Sequence, residues 1–195
     1  MERFNCIRRK ILEITSRSEI PEDRSHPENT LKWLLTIYPE ADLNLRIAAL
    51  GHDIERALPD RKVIRDEFDN FDDFKRAHAE NSAKVIKGLL KECGFQKEDI
   101  EDICELIRRH EFGGTERSDR LRIADALSFF DNNLPYYFKR HDKDEVKRRI
   151  VWGLKRLPSD IPGIKECLLQ IRYKDNMLNE LFRECLRIAE EDEKL

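Results

Sequence analysis

A chain of 195 residues is long enough for one globular domain with a substantial core. Charged and hydrophobic residues each make up 39% and the net charge is −3, which describes a heavily charged surface and argues against general nucleic-acid binding, for which a basic excess is needed. No stretch reads as a secretory signal or a transmembrane span, and the five scattered cysteines form no CxxC pair, so neither a zinc ribbon nor a disulfide framework is suggested. Free buried thiols, no membrane contact and a cytoplasmic location are the expectations.

Helical periodicity dominates and no segment alternates as a strand would, so the predicted fold is all-α. A first helix covers residues 2–16. Ser18–Ser25 with Pro21 reads as a loop. Ser25 and Glu28 fit a capping box, with Pro27 in the first turn, so His26 opens a helix that Pro39 ends. The next helix is predicted over 41–57 and carries His52-Asp53. A polar stretch of roughly a dozen residues follows, 58–70, a length at which loops are often functional.

A long helix is predicted from Phe71 to Cys93, with Gly94 as its C-cap and Phe71, Phe74, His78, Val85 and Leu89 on one face. The helix after it reads Ile100, Ile103, Ile107, His110 and is broken by Gly113-Gly114. Another starts near Ser118, holds Asp125, and continues irregularly to Arg140 with a bend near Pro135. Amphipathic helices fill about 142–193 and show no chemistry; they suit packing or a homodimer surface. The whole chain, 1–195, is read as one all-α domain with a core over about 20–140 and supporting C-terminal helices.

Histidine placement carries the functional signal. Of five histidines, His26, His52, His78 and His110 fall on or at the ends of segments that read as buried helix. Imidazoles and carboxylates pointing inward from several helices are what a metal site inside a bundle requires. A His-Asp pair alone carries little weight, because it occurs twice. The second, His141-Asp142, sits among charges and reads as a solvated helix junction. His52-Asp53 follows an apolar run, and Gly51 would let another helix approach closely. Neighbouring helical residues point about 100° apart, so both could reach one ion only from the crotch between them. There is no GxGxxG, P-loop, HExxH or GxSxG.

The ordered set His26, His52-Asp53, His78, His110, Asp125 resembles the HD-domain metal-dependent phosphohydrolase superfamily in its H…HD…H…H…D form. The resemblance covers residues 20–132. It rests on Ser25-His26-Pro27-Glu28, Ala49-Leu50-Gly51-His52-Asp53, Ala77-His78-Ala79-Glu80-Asn81-Ser82, Arg109-His110-Glu111-Phe112-Gly113-Gly114 and Ile123-Ala124-Asp125-Ala126-Leu127-Ser128. It implies an HD-type helical bundle in which His26, His52, Asp53 and Asp125 hold one metal. His78 and His110 mark members with a second metal, bridged by Asp53. A mixed nitrogen and oxygen set suits Mn, Fe, Co or Ni better than Mg.

The implied activity is hydrolysis of a nucleotide or other small phosphate ester or diester by a metal-activated water, with Asp53 indispensable. Glu55 and Glu111 are candidate proton donors, the catalytic carboxylates besides Asp53. Arg24, Arg56, Arg61 and Lys62 are candidate phosphate contacts, as are, more weakly, Arg65, Lys84 and Arg109. Ser82 and Ser128 lie on their ligands' helix faces, with Asn132 one turn further on, and could touch substrate. The same ligand set also serves dinuclear-iron oxygenases of this fold, and a nucleotide sensor without turnover would keep it too.

Overall fold

In a computed structural model, which describes residues 2–158 and 161–192, every regular element is helical. The all-α expectation holds. No helix among the described residues is long and apolar enough to cross a membrane. Residues 159–160 and Glu193, part of the predicted C-terminal stretch, lie outside the described residues. The chain divides into two compact units, Met1–Asp125 and Ala126–Leu195.

The first unit contains α1 (Glu2–Thr15), a 3-10 turn (Pro21–Arg24), α2 (His26–Ile37), α3 (Leu43–Gly51), two more 3-10 turns (Ile54–Ala57 and Arg65–Glu67), α4 (Phe71–Glu92) and α5 (Lys97–Arg109). α6 (Glu116–Ser128) brings its last residue, Asp125. α3 is the hub. Leu45, Ile47, Ala48, Ala49, Leu50 and Gly51 are all buried, the pattern of a helix enclosed on every side. It packs on α1, α2 and α5. Asp42 starts it by accepting from the Leu45 N–H at 2.9 Å. Asn70 likewise caps α4 through Asp73 N–H at 2.8 Å.

The predicted close approach at Gly51 is present. A Cβ there would lie 2.5 Å from Ile86 Cδ1 and 2.8 Å from Cγ1, on α4. Gly51→Ala forces Ile86 out of its packed position and is expected to cost about 1–3 kcal/mol, read as a lowered midpoint in chemical denaturation with an unchanged slope. A variant as stable as the wild type would mean that Ile86 repacks freely.

Three expectations need correction. Ser25 does not cap α2 through its side chain: its backbone is already α-helical, at φ −105° and ψ −17°, because it continues the 3-10 turn Pro21–Arg24. Glu28 instead bonds Arg8 of α1. The helix predicted over 41–57 ends at Gly51, and Asp53 leaves helical geometry at φ −108° and ψ 11°. The thiols are not all free: Cys6 and Cys93 form a disulfide with Cα atoms 5.8 Å apart, joining α1 to the end of α4 across 87 residues of sequence. Helix packing alone brings this pair together, so spacing could not reveal it. Cys104, Cys167 and Cys185 are buried and lie outside the disulfide. The thiol argument for a cytoplasmic location therefore does not hold for this pair. Reduction, or Cys6→Ser, releases a long loop in the unfolded chain and is expected to lower stability by about 2–4 kcal/mol. Melting with and without reductant tests this, since the Cys6→Ser protein should no longer respond to reductant.

In the second unit α6 ends, a π-helical turn (Phe129–Asn133) follows, and α7 (Leu134–Arg140), α8 (Lys143–Leu154), α9 (Ile164–Gln170) and α10 (Asn176–Asp192) complete the order. The irregular stretch after Ser128 is this π turn, with Pro135 in the first turn of α7. α8 and α10 pack together, and Phe130, Leu134, Val146, Ile150, Leu178, Phe182 and Cys185 are fully buried. Tyr173 donates its hydroxyl to the Phe130 carbonyl at 2.9 Å, giving the widened turn a partner. His141 is exposed and Asp142 caps α8 through Glu145 N–H at 2.9 Å, the junction that the sequence predicts.

Candidate metal centre

Each ligand candidate sits at a defined place in a helix. His26 is the first residue of α2, entered directly from a 3-10 turn and followed by Pro27. His52 and His110 are the residues that end α3 and α5. His78 lies within α4 and Asp125 within α6. The four imidazoles are between 1% and 5% exposed. Asp53 points inward beside His52 because the chain has left the helix there. The crotch geometry foreseen for two helical neighbours is not needed.

The donor atoms converge. His26 Nε2 and His52 Nε2 are 3.1 Å apart, and each is 3.2 Å from Asp125 Oδ1. Asp53 lies between the two halves of the cluster. Its Oδ2 is 3.7 Å from His26 Nε2, while Oδ1 is 3.7 Å from His52, 2.8 Å from His78 and 3.6 Å from His110, each at Nε2. Glu111 joins the second half, with Oε1 3.8 Å from His110 Nε2. Three overlapping groups have their ligand atoms within 4.8 Å of one another: His26, His52 and Asp125; His52, Asp53 and His110; His78, His110 and Glu111.

The ring orientations suit a cation. His52 Nδ1 donates to the Ala49 carbonyl at 3.1 Å and His110 Nδ1 to the Ile107 carbonyl at 2.7 Å. Those protons leave Nε2 of each neutral ring as a lone pair aimed at the cluster. His110 Nε2 is buried and has no hydrogen-bond partner. An acceptor left in that state is costly, and a cation would satisfy it. A set of inward imidazole nitrogens and carboxylate oxygens is also the donor chemistry of divalent transition metals.

Electrostatics without a metal show the same demand. Burial opposes charge on His52, but Asp53 and Asp125 outweigh it and raise the ring to about 9. His78 rises to about 10 against its own burial, through Asp53 and Glu55. Burial also opposes ionisation of Asp53 and Asp125, yet their imidazole neighbours hold both well below the usual carboxylate range. His110 is the exception: burial pushes it down, so it stays a neutral acceptor. Protons on two rings thus supply positive charge where a cation would otherwise be required.

The other sequence candidates are distributed differently. Arg56 bridges Asp23 Oδ1 at 3.1 Å and Asp53 Oδ2 at 3.4 Å, so it braces a ligand. Arg24 is exposed and spends its guanidinium on the Ser18 carbonyl at 3.1–3.2 Å. Arg61 and Lys62 are exposed on the 58–70 loop. Arg109 pairs with Glu105 at 2.5 Å and Lys84 with Glu80 at 3.8 Å. Ser82 and Ser128 are both 0% exposed. Glu55 is 1% exposed, and its oxygens meet Val63 N–H at 2.7 Å and His78 Nδ1 at 2.6 Å.

Two residues escaped the sequence reading. Asp23 is buried, accepts from Ser18 Oγ at 2.9 Å and pairs with Arg56; burial nevertheless raises its pKa. Lys75 is 7% exposed and holds Glu111 at 2.6 Å. Their only sequence signal is nearness to a ligand, which many surface charges share.

The site defines an all-α protein with a buried histidine–carboxylate cluster that could hold a metal ion. The chain belongs to the family described as "Domain of unknown function (DUF4202)", whose model matches residues 10–179. It is also similar to a CC-adding tRNA nucleotidyltransferase of Thermus thermophilus, at 35% identity over 88 residues, which are 44% of this chain. The chain spans only 19% of that relative's length. No solved structure matches.

Proposed function

We propose that this protein is a metal-dependent phosphohydrolase acting on a nucleotide or another small phosphate ester or diester. The observation that carries the reading is the inward convergence of four imidazole Nε2 atoms on Asp53 and Asp125, with His110 Nε2 left as an orphaned acceptor. The ordered resemblance to HD-domain phosphohydrolases supports it, and the partial relative is named for an activity on nucleotides.

His26, His52, Asp53 and Asp125 would hold one ion, and Asp53, His78, His110 and Glu111 a second. Divalent ions bound there supply Lewis-acid charge to phosphate oxygens and acidify a coordinated water toward neutral pH. The chain's own groups do the rest. Asp53 joins both halves of the cluster, and Arg56 braces its Oδ2. The Ala49 and Ile107 carbonyls orient His52 and His110. Lys75 neutralises and positions Glu111. Arg61 and Lys62, both exposed on the 58–70 loop, would meet phosphate in this reading.

The test pairs metal analysis of the purified protein with phosphate release from a nucleotide panel under Mn, Co, Ni or Mg. Bound transition metal with metal-dependent release supports the reading. Two irons and no release would replace it with oxygen chemistry, and tight nucleotide binding without turnover would replace it with a sensor.

A further inference from the structure

Glu55 is a buried carboxylate in the 3-10 turn that follows Asp53. Its Oε1 lies 2.6 Å from His78 Nδ1, and its Oε2 accepts the Val63 N–H at 2.7 Å. Both oxygens are thus engaged by groups other than the converging Nε2 atoms. We propose that Glu55 is a positioning residue: it fixes the Nδ1-protonated form of His78, so that His78 Nε2 faces the cluster, and it fastens the 58–70 loop to that ligand. The proposal rests on the metal-centre reading above and assigns Glu55 a place behind the ligands.

The reason lies in where each histidine falls in its helix. His52 and His110 end their helices, where carbonyls of the last turn lack the usual partner four residues on, and each ring donates to one of them; the Ile107 carbonyl also accepts the His110 backbone N–H at 3.3 Å. His78 lies inside α4, where the ladder consumes the carbonyls. An acceptor for its Nδ1 must come from another element, and the turn beginning at Ile54 supplies one. A carboxylate is the right group because it only accepts, which leaves a single choice of proton position on the ring.

The loop is tied at the same place. Val63 N–H sets the Glu55 rotamer, and Asn81, on the turn of α4 after His78, donates its side chain to the Arg61 carbonyl. The backbone that bears Arg61 and Lys62 is therefore held by groups that also surround His78. Displacement of this loop pulls on the acceptor that orients a ligand.

Glu55→Gln separates this role from simple packing. Its amide keeps the volume, but only one end can accept. If the oxygen keeps Val63 N–H, the NH2 group faces His78 Nδ1 and drives the ring proton to Nε2. The reverse arrangement sets two donors against each other at Val63. The experiment is Co²⁺ titration of the full chain, followed by visible absorption and calorimetry, with His78→Ala defining which binding event needs His78. Glu55→Gln is expected to weaken that same event by about 10–100-fold and leave the other unchanged. Unchanged Co²⁺ binding in Glu55→Gln, with wild type and His78→Ala behaving as stated, overturns this inference alone. A wild type that binds no Co²⁺ overturns the metal-centre reading itself. If Glu55→Gln fails to unfold cooperatively, imidazole ¹⁵N shifts of the Co²⁺-free and Zn²⁺-loaded wild type decide. A proton on His78 Nδ1 in the loaded protein supports the inference, and a bare Nδ1 overturns it.

Discussion

Asp53→Asn abolishes metal-dependent phosphate release, with an expected fall on the order of 10³-fold or more, equivalent to several kcal/mol of lost transition-state stabilisation. The carboxylate is the only group within 4 Å of His26, His52, His78 and His110 alike among the ion pairs of the described residues. Asparagine preserves the shape but removes the charge that would hold two cations side by side. The metal content of the purified variant should fall along with activity. The substitution also removes the main attraction that raises His52 and His78 in the metal-free protein, so both rings should release their protons at lower pH, with Asp125 and Glu55 still opposing that release. Activity is measured as phosphate release at saturating metal, and folding as cooperative melting. A folded Asp53→Asn protein with wild-type turnover would remove Asp53 from the chemistry and the phosphohydrolase reading with it.

Without metal, the protein loses stability as pH rises from 7 toward 10. The direction follows from the shifts. A histidine whose folded pKa is raised stabilises the fold fully below its unfolded value of 6.5, and that contribution fades as pH climbs through the folded value. His52 releases its proton near 9 and His78 near 10, which correspond to about 3 and about 5 kcal/mol. Both draw on Asp53, so the contributions overlap and the combined loss is about 3–5 kcal/mol. The depressed carboxylates work in the opposite window: Asp53 and Asp125 stabilise above 3.8, and that stability is lost as pH falls through their lower folded values. His110, held neutral, costs stability below 6.5, where the unfolded chain takes up a proton that the folded one refuses. Metal-free protein should therefore be most stable between about pH 5 and 7. Chemical denaturation across pH 5–10, with chelator and then with Mn²⁺, measures this. The loaded protein should lose less stability at high pH, because deprotonated imidazoles bind metal better. A flat profile in chelator would mean that these rings are neutral in the fold.

The periodicity of apolar residues was sufficient to show that the chain is helical, because a helix buries residues at fixed spacing whatever it packs against, but it did not show that α3 ends at Gly51. The sequence context also separated the two His-Asp pairs: His141-Asp142 lies exposed among charges, with Asp142 capping α8, while His52-Asp53 follows a buried run. The positions His26, His52, Asp53, His78, His110 and Asp125 could be singled out because imidazoles and carboxylates are rare at the buried ends and faces of helices. Their convergence is a tertiary fact, and so are the features that the sequence concealed. Ser82 and Ser128 share helix faces with ligands, yet both are sealed inside, because a helix face does not reveal its depth. Glu55 stands out in the sequence only as a candidate proton donor, and Lys75 and Asp23 do not stand out at all, until their partners, His78, Glu111 and Arg56, arrive from other elements. Cys6 meets Cys93 only because α1 lies against α4. Composition and local pattern thus determined that the chain is helical and which residues could ligate. Only the packing of distant segments decided which of those residues face one another, because burial and hydrogen-bond partnership belong to pairs of elements rather than to any one stretch of sequence.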